Sequence, residues 1–376
     1  MTLAVQHVHA GNLYGGVETI LVTLARFQSA APDVEHRFAL CFEGRLADEL
    51  RAAGARVDIL GPTRISRPWT VARARRQLRG LLSAAEIGVG VCHSTWSQAI
   101  FGPVLRTAGV PWTLCVHGGG GPRWLTYWGR HQLPDFVLSN SRYTAAEAAT
   151  RFAGVPPVVL YYPVPVLAGL TAEDRQALRR EFAVAPDEQI ILQVSRMEAW
   201  KGHSVLLDAL AELRDRADWA CWFAGGAQRA SESRYETTLK RKAAALGLES
   251  RVRFLGQRAD APRLMGAADV FCQPNVSPEP FGIVFIEALA QGLPVVGSNT
   301  GGTREIVAAD CGVLVPPGDA HALAAALAQL LDDPVRRTRL AAHGPARARA
   351  LCDPATQVRS LAEHLRGLGA RRRSGR

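Results

Sequence analysis

Two doubly wound α/β domains, each with a parallel sheet covered on both faces, are what this sequence predicts, on three observations. The chain has 376 residues, which is too long for one ordinary core. Short apolar runs at residues 3–8, 38–42, 57–60, 89–92, 112–116 and 136–139 alternate with helical stretches such as 16–29 and 46–53. That alternation is the strand–helix–strand signature of a parallel sheet. A second series of the same kind begins at residues 189–195 and continues through 219–224, 252–255, 270–273, 294–297 and 312–315. Between the series lies a stretch rich in proline, residues 155–165, suited to a linker. The expected domains are therefore 1–164 and 165–353. In two such domains facing a central cleft, a ligand binds outside the carboxyl ends of the strands.

Composition excludes several other classes. Hydrophobic residues make up 48% and charged residues 21%, as in a soluble globular protein and unlike a disordered one. No apolar run is long enough to span a bilayer, and the first residues lack a basic leader, so a cytoplasmic protein is expected. The seven cysteines are scattered, with no Cys-x-x-Cys pair, which points to buried reduced thiols. Net charge is +10, yet Lys201, Lys240 and Lys242 are the only lysines. That arginine bias suits a GC-rich bacterial genome and weakens arguments from charge alone. Two arginine runs stand out, 64–79 and the tail 371–376. The first reads as an amphipathic helix with Trp69, Val71, Leu78, Leu81 and Leu82 on its apolar side, able to lie on anionic lipid. An ordinary solvated helix face is the plainer reading. No nucleic-acid-binding motif accompanies the charge, so no nucleic-acid partner is expected.

The chemistry concentrates around Glu279 and Glu287. They stand in Pro278-Glu279-Pro280-Phe281-Gly282-Ile283, followed by a short apolar helix carrying Glu287, a Gly292-Leu293-Pro294 stop and a buried strand. A helix N-terminus beside Glu279 presents free N–H groups and makes an anion site. At roughly 1.5 Å rise per residue, Glu287 falls about 8 Å further along, the scale of a diphosphate between two sugars. Two glutamates flanking an apolar helix are commonly just surface residues; the long specific context argues otherwise. Ser195-Arg196-Met197-Glu198-Ala199-Trp200-Lys201-Gly202 follows the first strand of the second series. Asn12-Leu13-Tyr14-Gly15-Gly16-Val17-Glu18 follows the first strand of the chain, where consecutive glycines let the backbone approach a ligand. His117 ends a strand before four glycines, with Trp124, Tyr127 and Trp128 just beyond, able to stack on a sugar or an apolar acceptor. His93 ends another strand.

These segments together resemble the retaining glycosyltransferases of family 4 (glycosyl transferases group 1), with the Glu-x7-Glu motif at 279–287 as the most specific part. The resemblance extends over nearly the whole chain. It implies the GT-B fold, two Rossmann-like domains, an acceptor-side domain 1–164 and a donor domain 165–353. It also implies a last helix of about 354–368 returning to the first domain. The implied activity is transfer of a hexosyl group from a nucleoside-diphosphate sugar, UDP ahead of GDP, to a hydroxyl acceptor with retained configuration. By the same resemblance Glu279 holds the donor hexose, Glu287 the ribose, Arg196 and Lys201 the diphosphate, and His117 the reaction centre. Gly15, Gly16, Phe281, Gly282 and Ile283 complete the donor site. Ser139-Asn140-Ser141, Leu255-Gly256-Gln257, Cys272-Gln273-Pro274-Asn275 and Gly301-Gly302-Thr303-Arg304-Glu305-Ile306 match further cleft segments.

Fixed cations suit this chemistry because a departing nucleoside diphosphate gains negative charge in the transition state. No Asp-x-Asp occurs, so no metal and no cofactor are expected; Arg196, Lys201 and the helix N-terminus replace the ion. The acceptor is a lipid-linked group, a glycan or a small molecule, and the arginine run allows contact with the inner face of the membrane. Three departures from the family pattern leave donor and acceptor choice open: Ala224-Gly225-Gly226-Ala227, Tyr161-Tyr162-Pro163-Val164, and Arg304 where proline is frequent. Two other readings compete, a nucleotide-sugar epimerase on the same fold and a catalytically silent member acting as a binding partner.

Overall fold

The computed structural model describes residues 2–11, 14–118, 132–166 and 169–374, with side-chain surroundings through residue 370. The chain divides into two compact units. The first comprises Met1–Pro165 and Cys352–Arg376, the second Val166–Leu351. The motif residues Asn12 and Leu13, the loop residues Trp124, Tyr127 and Trp128, and the side chains of the tail 371–376 lie outside the described residues.

The first unit holds a seven-stranded parallel sheet of β1 (Leu3–His9), β2 (Val34–Leu40), β3 (Arg56–Ile59), β4 (Ile87–His93), β5 (Trp112–Val116), β6 (Phe136–Ser139) and β7 (Pro157–Val159). Their spatial order is β3-β2-β1-β4-β5-β6-β7. β7 lies inside the stretch expected to be linker. Its Pro157 pairs with Val137 on the sheet edge, one of the few places in a sheet where proline costs no ladder hydrogen bond. β2 begins four residues earlier than the apolar run suggested. The alternation of Val34, His36 and Phe38 inward with Glu35 and Arg37 outward hides the strand in a hydropathy reading.

The core of this unit is built from Val8, Ala39, Leu78, Phe101, Leu105, Trp112, Leu114, Val137 and Phe152. The last helix, Pro354–Ser374, joins it, packing on β1, β4 and helix Gly16–Arg26. Its buried residues Val358, Leu361, Ala362, Leu365 and Leu368 recur at helical spacing and form one apolar stripe. At about 1.5–3 kcal/mol for each large apolar side chain buried, the stripe is worth several kcal/mol before entropy is subtracted. Arg366 adds a two-pronged pair to Asp33, with both contacts at 2.7 Å.

Helix Pro68–Ala84 buries Ala74, Leu78 and Leu82 at i, i+4 and i+8. Trp69, expected on its apolar side, instead projects into solvent and is 68% exposed. Arg75 turns inward, donating to the carbonyls of Ile100 and Ala99 at 2.7 and 3.2 Å. Arg64, Arg67, Arg73, Arg76 and Arg79 stay exposed, with no ion pair among the described residues.

The second unit repeats the plan in a six-stranded parallel sheet: β8 (Gln189–Val194), β9 (Trp219–Ala224), β10 (Val252–Gly256), β11 (Val270–Gln273), β12 (Val295–Ser298) and β13 (Gly312–Val315). The order is β10-β9-β8-β11-β12-β13. β9 is buried along its whole length, with Trp219, Trp222 and Phe223 inside, as expected for a strand covered on both faces. In each unit the order reverses between the first strand and the fourth, β1 beside β4 and β8 beside β11. Open parallel sheets bind ligands outside the carboxyl ends of the strands at such a reversal. No described helix is long and apolar enough to cross a membrane.

Candidate active site

In the second unit the reversal point gathers the charged residues singled out from the sequence. Leaving β8, the chain makes a 3-10 turn at Ala199–Lys201 and enters helix His203–Glu212 through Gly202, whose φ is +79°. A Cβ on Gly202 would stand 1.8 Å from the carbonyl oxygen of Pro274, so glycine is required where this loop crosses the end of β11. Gln193 holds the turn by donating from Nε2 to the Lys201 carbonyl at 2.9 Å. The turn delivers Lys201 Nζ to Glu279 Oε2 at 2.7 Å, and Asn275 Nδ2 donates to the same oxygen at 2.7 Å. Glu279 is buried, yet its Oε1 accepts no hydrogen bond among the described residues, which leaves it for a ligand hydroxyl.

The backbone around Glu279 is clamped as well. The Gly302 N–H donates to the Glu279 carbonyl at 2.7 Å. At Gly301, φ is +57°, and a Cβ would lie 2.3 Å from that same oxygen. Phe281 is buried behind the loop, and Gly282, at φ +102°, caps helix Ile283–Ala290 without a side-chain bond. Its Phe285 N–H bonds back to Gly282, while the Ile283 and Val284 N–H groups have no acceptor among the described residues. Those two N–H groups, the helix dipole and Lys201 together make a site for an anion.

Glu287 sits one turn further along the same helix. Its outline is partly exposed but its carboxyl group is deep, and burial pushes its pKa up to about 7. It has no side-chain hydrogen bond among the described residues, so near neutral pH it can both donate to and accept from a diol.

Arg196 follows β8 directly. Its guanidinium is held between Glu198 at 2.8 Å and Glu232 at 3.2 Å, and Glu232 also accepts from the Gln228 N–H at 2.7 Å. The guanidinium therefore stands half-buried and oriented. The glycine pair after β9 presses on this loop: a Cβ on Gly225 would lie 1.9 Å from the Ser195 carbonyl oxygen. Around these groups, several buried polar atoms lack partners among the described residues: both amide atoms of Gln273, Asn275 Oδ1, Ser298 Oγ and Thr303 Oγ1. Buried polar groups are nearly always paired, so this set marks a polar surface that a ligand or water completes. Gln193, Glu232 and Ser298 were not singled out from the sequence. Only their placement one or two residues from strand ends, or in a first helical turn, hints at them.

In the first unit, Gly15 caps helix Gly16–Arg26. Glu18 on that helix accepts from the Gly15 N–H at 2.9 Å and from His9 Nε2 at 2.8 Å, and so fixes the two-glycine turn to the end of β1. His117 follows β5, but both its ring nitrogens are engaged within the unit, Nε2 with His93 at 3.0 Å and Nδ1 with the Tyr162 hydroxyl. Burial lowers its pKa to about 3. Asn140, from the segment after β6, donates to the His117 carbonyl at 3.2 Å and to Tyr162 Oη at 2.8 Å. His117 is therefore a neutral, locked ring.

Comparison with known proteins gives these features their setting. Residues 174–347 match the family model described as glycosyl transferases group 1. A GDP-mannose-dependent monoacylated alpha-(1-6)-phosphatidylinositol monomannoside mannosyltransferase from Corynebacterium glutamicum is 31% identical over 57% of this chain and 58% of its own length. A phosphatidyl-myo-inositol mannosyltransferase from Mycobacterium leprae is 42% identical over 39% of this chain and 38% of its own. The chain thus spans less than two thirds of either relative. Among solved structures, Anabaena HepE in complex with UDP and glucose superposes with a TM-score of 0.83 at 25% identity, covering 96% of this chain and 98% of that one. The architecture is that of a GT-B glycosyltransferase, two Rossmann-like α/β domains.

Proposed function

We propose, on the premise that residues 174–347 match the glycosyl transferases group 1 family model, that the chain transfers a hexosyl group from a nucleoside-diphosphate sugar to a hydroxyl, with the configuration at the anomeric carbon retained. The observation that carries this reading is the pairing of Lys201 with Glu279 at the open N-terminus of helix Ile283–Ala290, with Glu287 one turn further on. Glu279 Oε1 takes a sugar hydroxyl and Glu287 the ribose diol. The diphosphate lies between them on the Ile283 and Val284 N–H groups, Lys201 and Arg196. As the bond from the anomeric carbon to the phosphate oxygen breaks, the charge gathering on the diphosphate meets donors already in place. The acceptor oxygen bonds to that carbon on the same face, and its proton passes to the departing phosphate. No metal is required in this reading, because the two side-chain cations and the helix end supply the positive charge.

Relatives differ in the nucleotide: GDP-mannose for the Corynebacterium enzyme, UDP in the Anabaena complex. Calorimetry with UDP, GDP, ADP and dTDP without metal tests the donor site. One nucleotide is expected to bind selectively, and Glu287→Ala and Arg196→Ala each to weaken it by about tenfold or more. A folded protein that binds none of the four would sink the donor-site reading and leave a silent binding partner.

The acceptor reading is a lipid-linked hydroxyl at a membrane surface. The Corynebacterium and Mycobacterium relatives are named for phosphatidylinositol acceptors. Helix Pro68–Ala84 carries no acidic residue, shows Arg73, Arg76 and Arg79 to solvent, and opens on the exposed Trp69. A basic helix face with an interfacial tryptophan suits anionic lipid. Sedimentation with vesicles containing phosphatidylglycerol is expected to pellet the protein. Trp69→Ala combined with Arg73→Glu and Arg76→Glu is expected to lower the partition several-fold. Equal binding to neutral vesicles would count against the assignment.

A further inference from the structure

The loop between β8 and helix His203–Glu212 carries both cations of the proposed donor site, and its backbone is fixed at several points. Met197 is buried in the core of the second unit. The Glu198 N–H donates to the Arg196 carbonyl at 2.8 Å, and the Lys201 N–H to the Glu198 carbonyl at 2.9 Å. The Val276 N–H donates to the Trp200 carbonyl at 2.9 Å, which ties this loop to the one that carries Glu279. A fixed backbone does not fix a lysine. Its four-carbon stem is flexible, and holding the ammonium in one place costs rotamer entropy.

Two contacts hold the Lys201 ammonium among the described residues. Glu279 Oε2 accepts from Nζ at 2.7 Å, and the ring of Trp200 lies on another side, its centroid 3.9 Å from Nζ. A cation at that distance over an indole face is attracted by the ring quadrupole, the more so where water is excluded. The Lys201 side chain is only 14% exposed, so water is largely kept from it. With a carboxylate and a ring on two sides, the three N–H bonds of the ammonium still leave one for a phosphate oxygen.

The ring is itself held. Trp200 Nε1 donates to Glu198 Oε2 at 3.1 Å, while Glu198 Oε1 pairs with Arg196 at 2.8 Å. Arg196 also donates to Glu232 Oε1 at 3.2 Å, and buried Glu232 accepts the Gln228 N–H on its other oxygen at 2.7 Å. One unbroken run of contacts thus leads from Glu232 through Arg196, Glu198 and Trp200 to Lys201 and Glu279. Trp200 is partly exposed, and these contacts orient its ring.

We propose that Trp200 is a positioning residue: its ring holds the Lys201 ammonium for the diphosphate of the donor and, through Glu198, fixes its place relative to Arg196. The inference rests on the donor-site reading above. Its physical basis is preorganisation, since a lysine already held loses less entropy when a phosphate arrives.

Calorimetry of the full chain with UDP and with GDP tests this, in a cycle of Trp200→Leu, Lys201→Ala and the double variant, each checked for folding by circular dichroism. Trp200→Leu is expected to weaken nucleoside-diphosphate binding by about three- to tenfold. Trp200→Phe keeps an aromatic face and loses only the N–H, so it is expected to recover most of that loss. In the Lys201→Ala background, Trp200→Leu is expected to change nothing further, because the cation that the ring holds is gone. Should the leucine variant not fold, Trp200→Gln takes its place in the cycle with the same expectation. A packing role predicts equal losses in both backgrounds, and that result would overturn the proposal. So would a phenylalanine variant no better than the leucine one, or tighter binding in Trp200→Leu, which would mark the ring as a competitor for the ammonium. Binding that Lys201→Ala weakens and Trp200→Leu leaves intact would remove Trp200 alone and spare the donor site. No binding of either nucleotide by the unsubstituted protein would remove both.

Discussion

Lys201→Ala is expected to lower hexosyl transfer by roughly 10²–10³-fold while leaving the protein folded, the range seen when one preorganised donor to developing charge is removed. Two consequences follow from the single contact of Lys201 Nζ with Glu279 Oε2 at 2.7 Å. The departing diphosphate loses a fixed cation. The buried carboxylate of Glu279 also loses its only charged partner among the described residues, keeping Asn275 alone there. An unpaired carboxylate beside a phosphate site repels the donor, so the affinity for nucleoside diphosphate is expected to fall along with the rate. Lys201→Arg separates the two consequences. A guanidinium keeps the charge but not the compact geometry under Trp200, where the ammonium lies 3.9 Å from the ring centroid. Steady-state kinetics on both variants, with unfolding checked by circular dichroism, decides the matter. Full activity in Lys201→Ala would remove Lys201 from the site.

The largest stability effect is expected from Gly202→Ala, at roughly 3–5 kcal/mol for the second unit. Gly247→Ala serves as its control. Both glycines hold positive φ, +79° and +70°, and an alanine there costs about 1–2 kcal/mol of backbone strain. A Cβ at Gly247 meets nothing within 4 Å, whereas at Gly202 it lands 1.8 Å from the Pro274 carbonyl. The difference between the two variants in urea therefore isolates the collision. Since Pro274 follows β11 and Gly202 follows Lys201, relief of that collision also pulls Lys201 off Glu279. Equal midpoints for the two variants would mean that the crossing of these loops is looser than the structure shows.

Much of the architecture was readable before any coordinates, because a parallel sheet announces itself in repeated apolar runs of fixed length. Where the reading failed, a local property was overridden by placement. β7 looked like linker since Pro156, Pro157 and Pro163 crowd it, yet an edge strand tolerates proline. The start of β2 was lost because its inward face carries His36, a polar residue buried only by virtue of its partner His7. Trp69 was assigned to an apolar face by spacing, but the first turn of its helix overhangs the core.

The site shows the same division. Glu279, Glu287, Arg196 and Lys201 are visible as a sequence pattern, since Arg196, Lys201 and Glu279 lie near a strand end or a helix start and Glu287 stands eight residues beyond Glu279. Their pairing is not visible: Lys201 and Glu279 are 78 positions apart and meet only because β8 and β11 are neighbours. Glu232 was equally hidden, for its significance is a matter of burial.

The return of residues 352–376 to the first unit means that the second unit is spliced into the first along the chain. A ribosome therefore finishes the second unit while the first still lacks Val358, Leu361 and Leu365. The unit begun first is completed last. Until its closing helix emerges, the apolar surface beneath that helix on β1 and β4 stays open to whatever else is nearby in the cell.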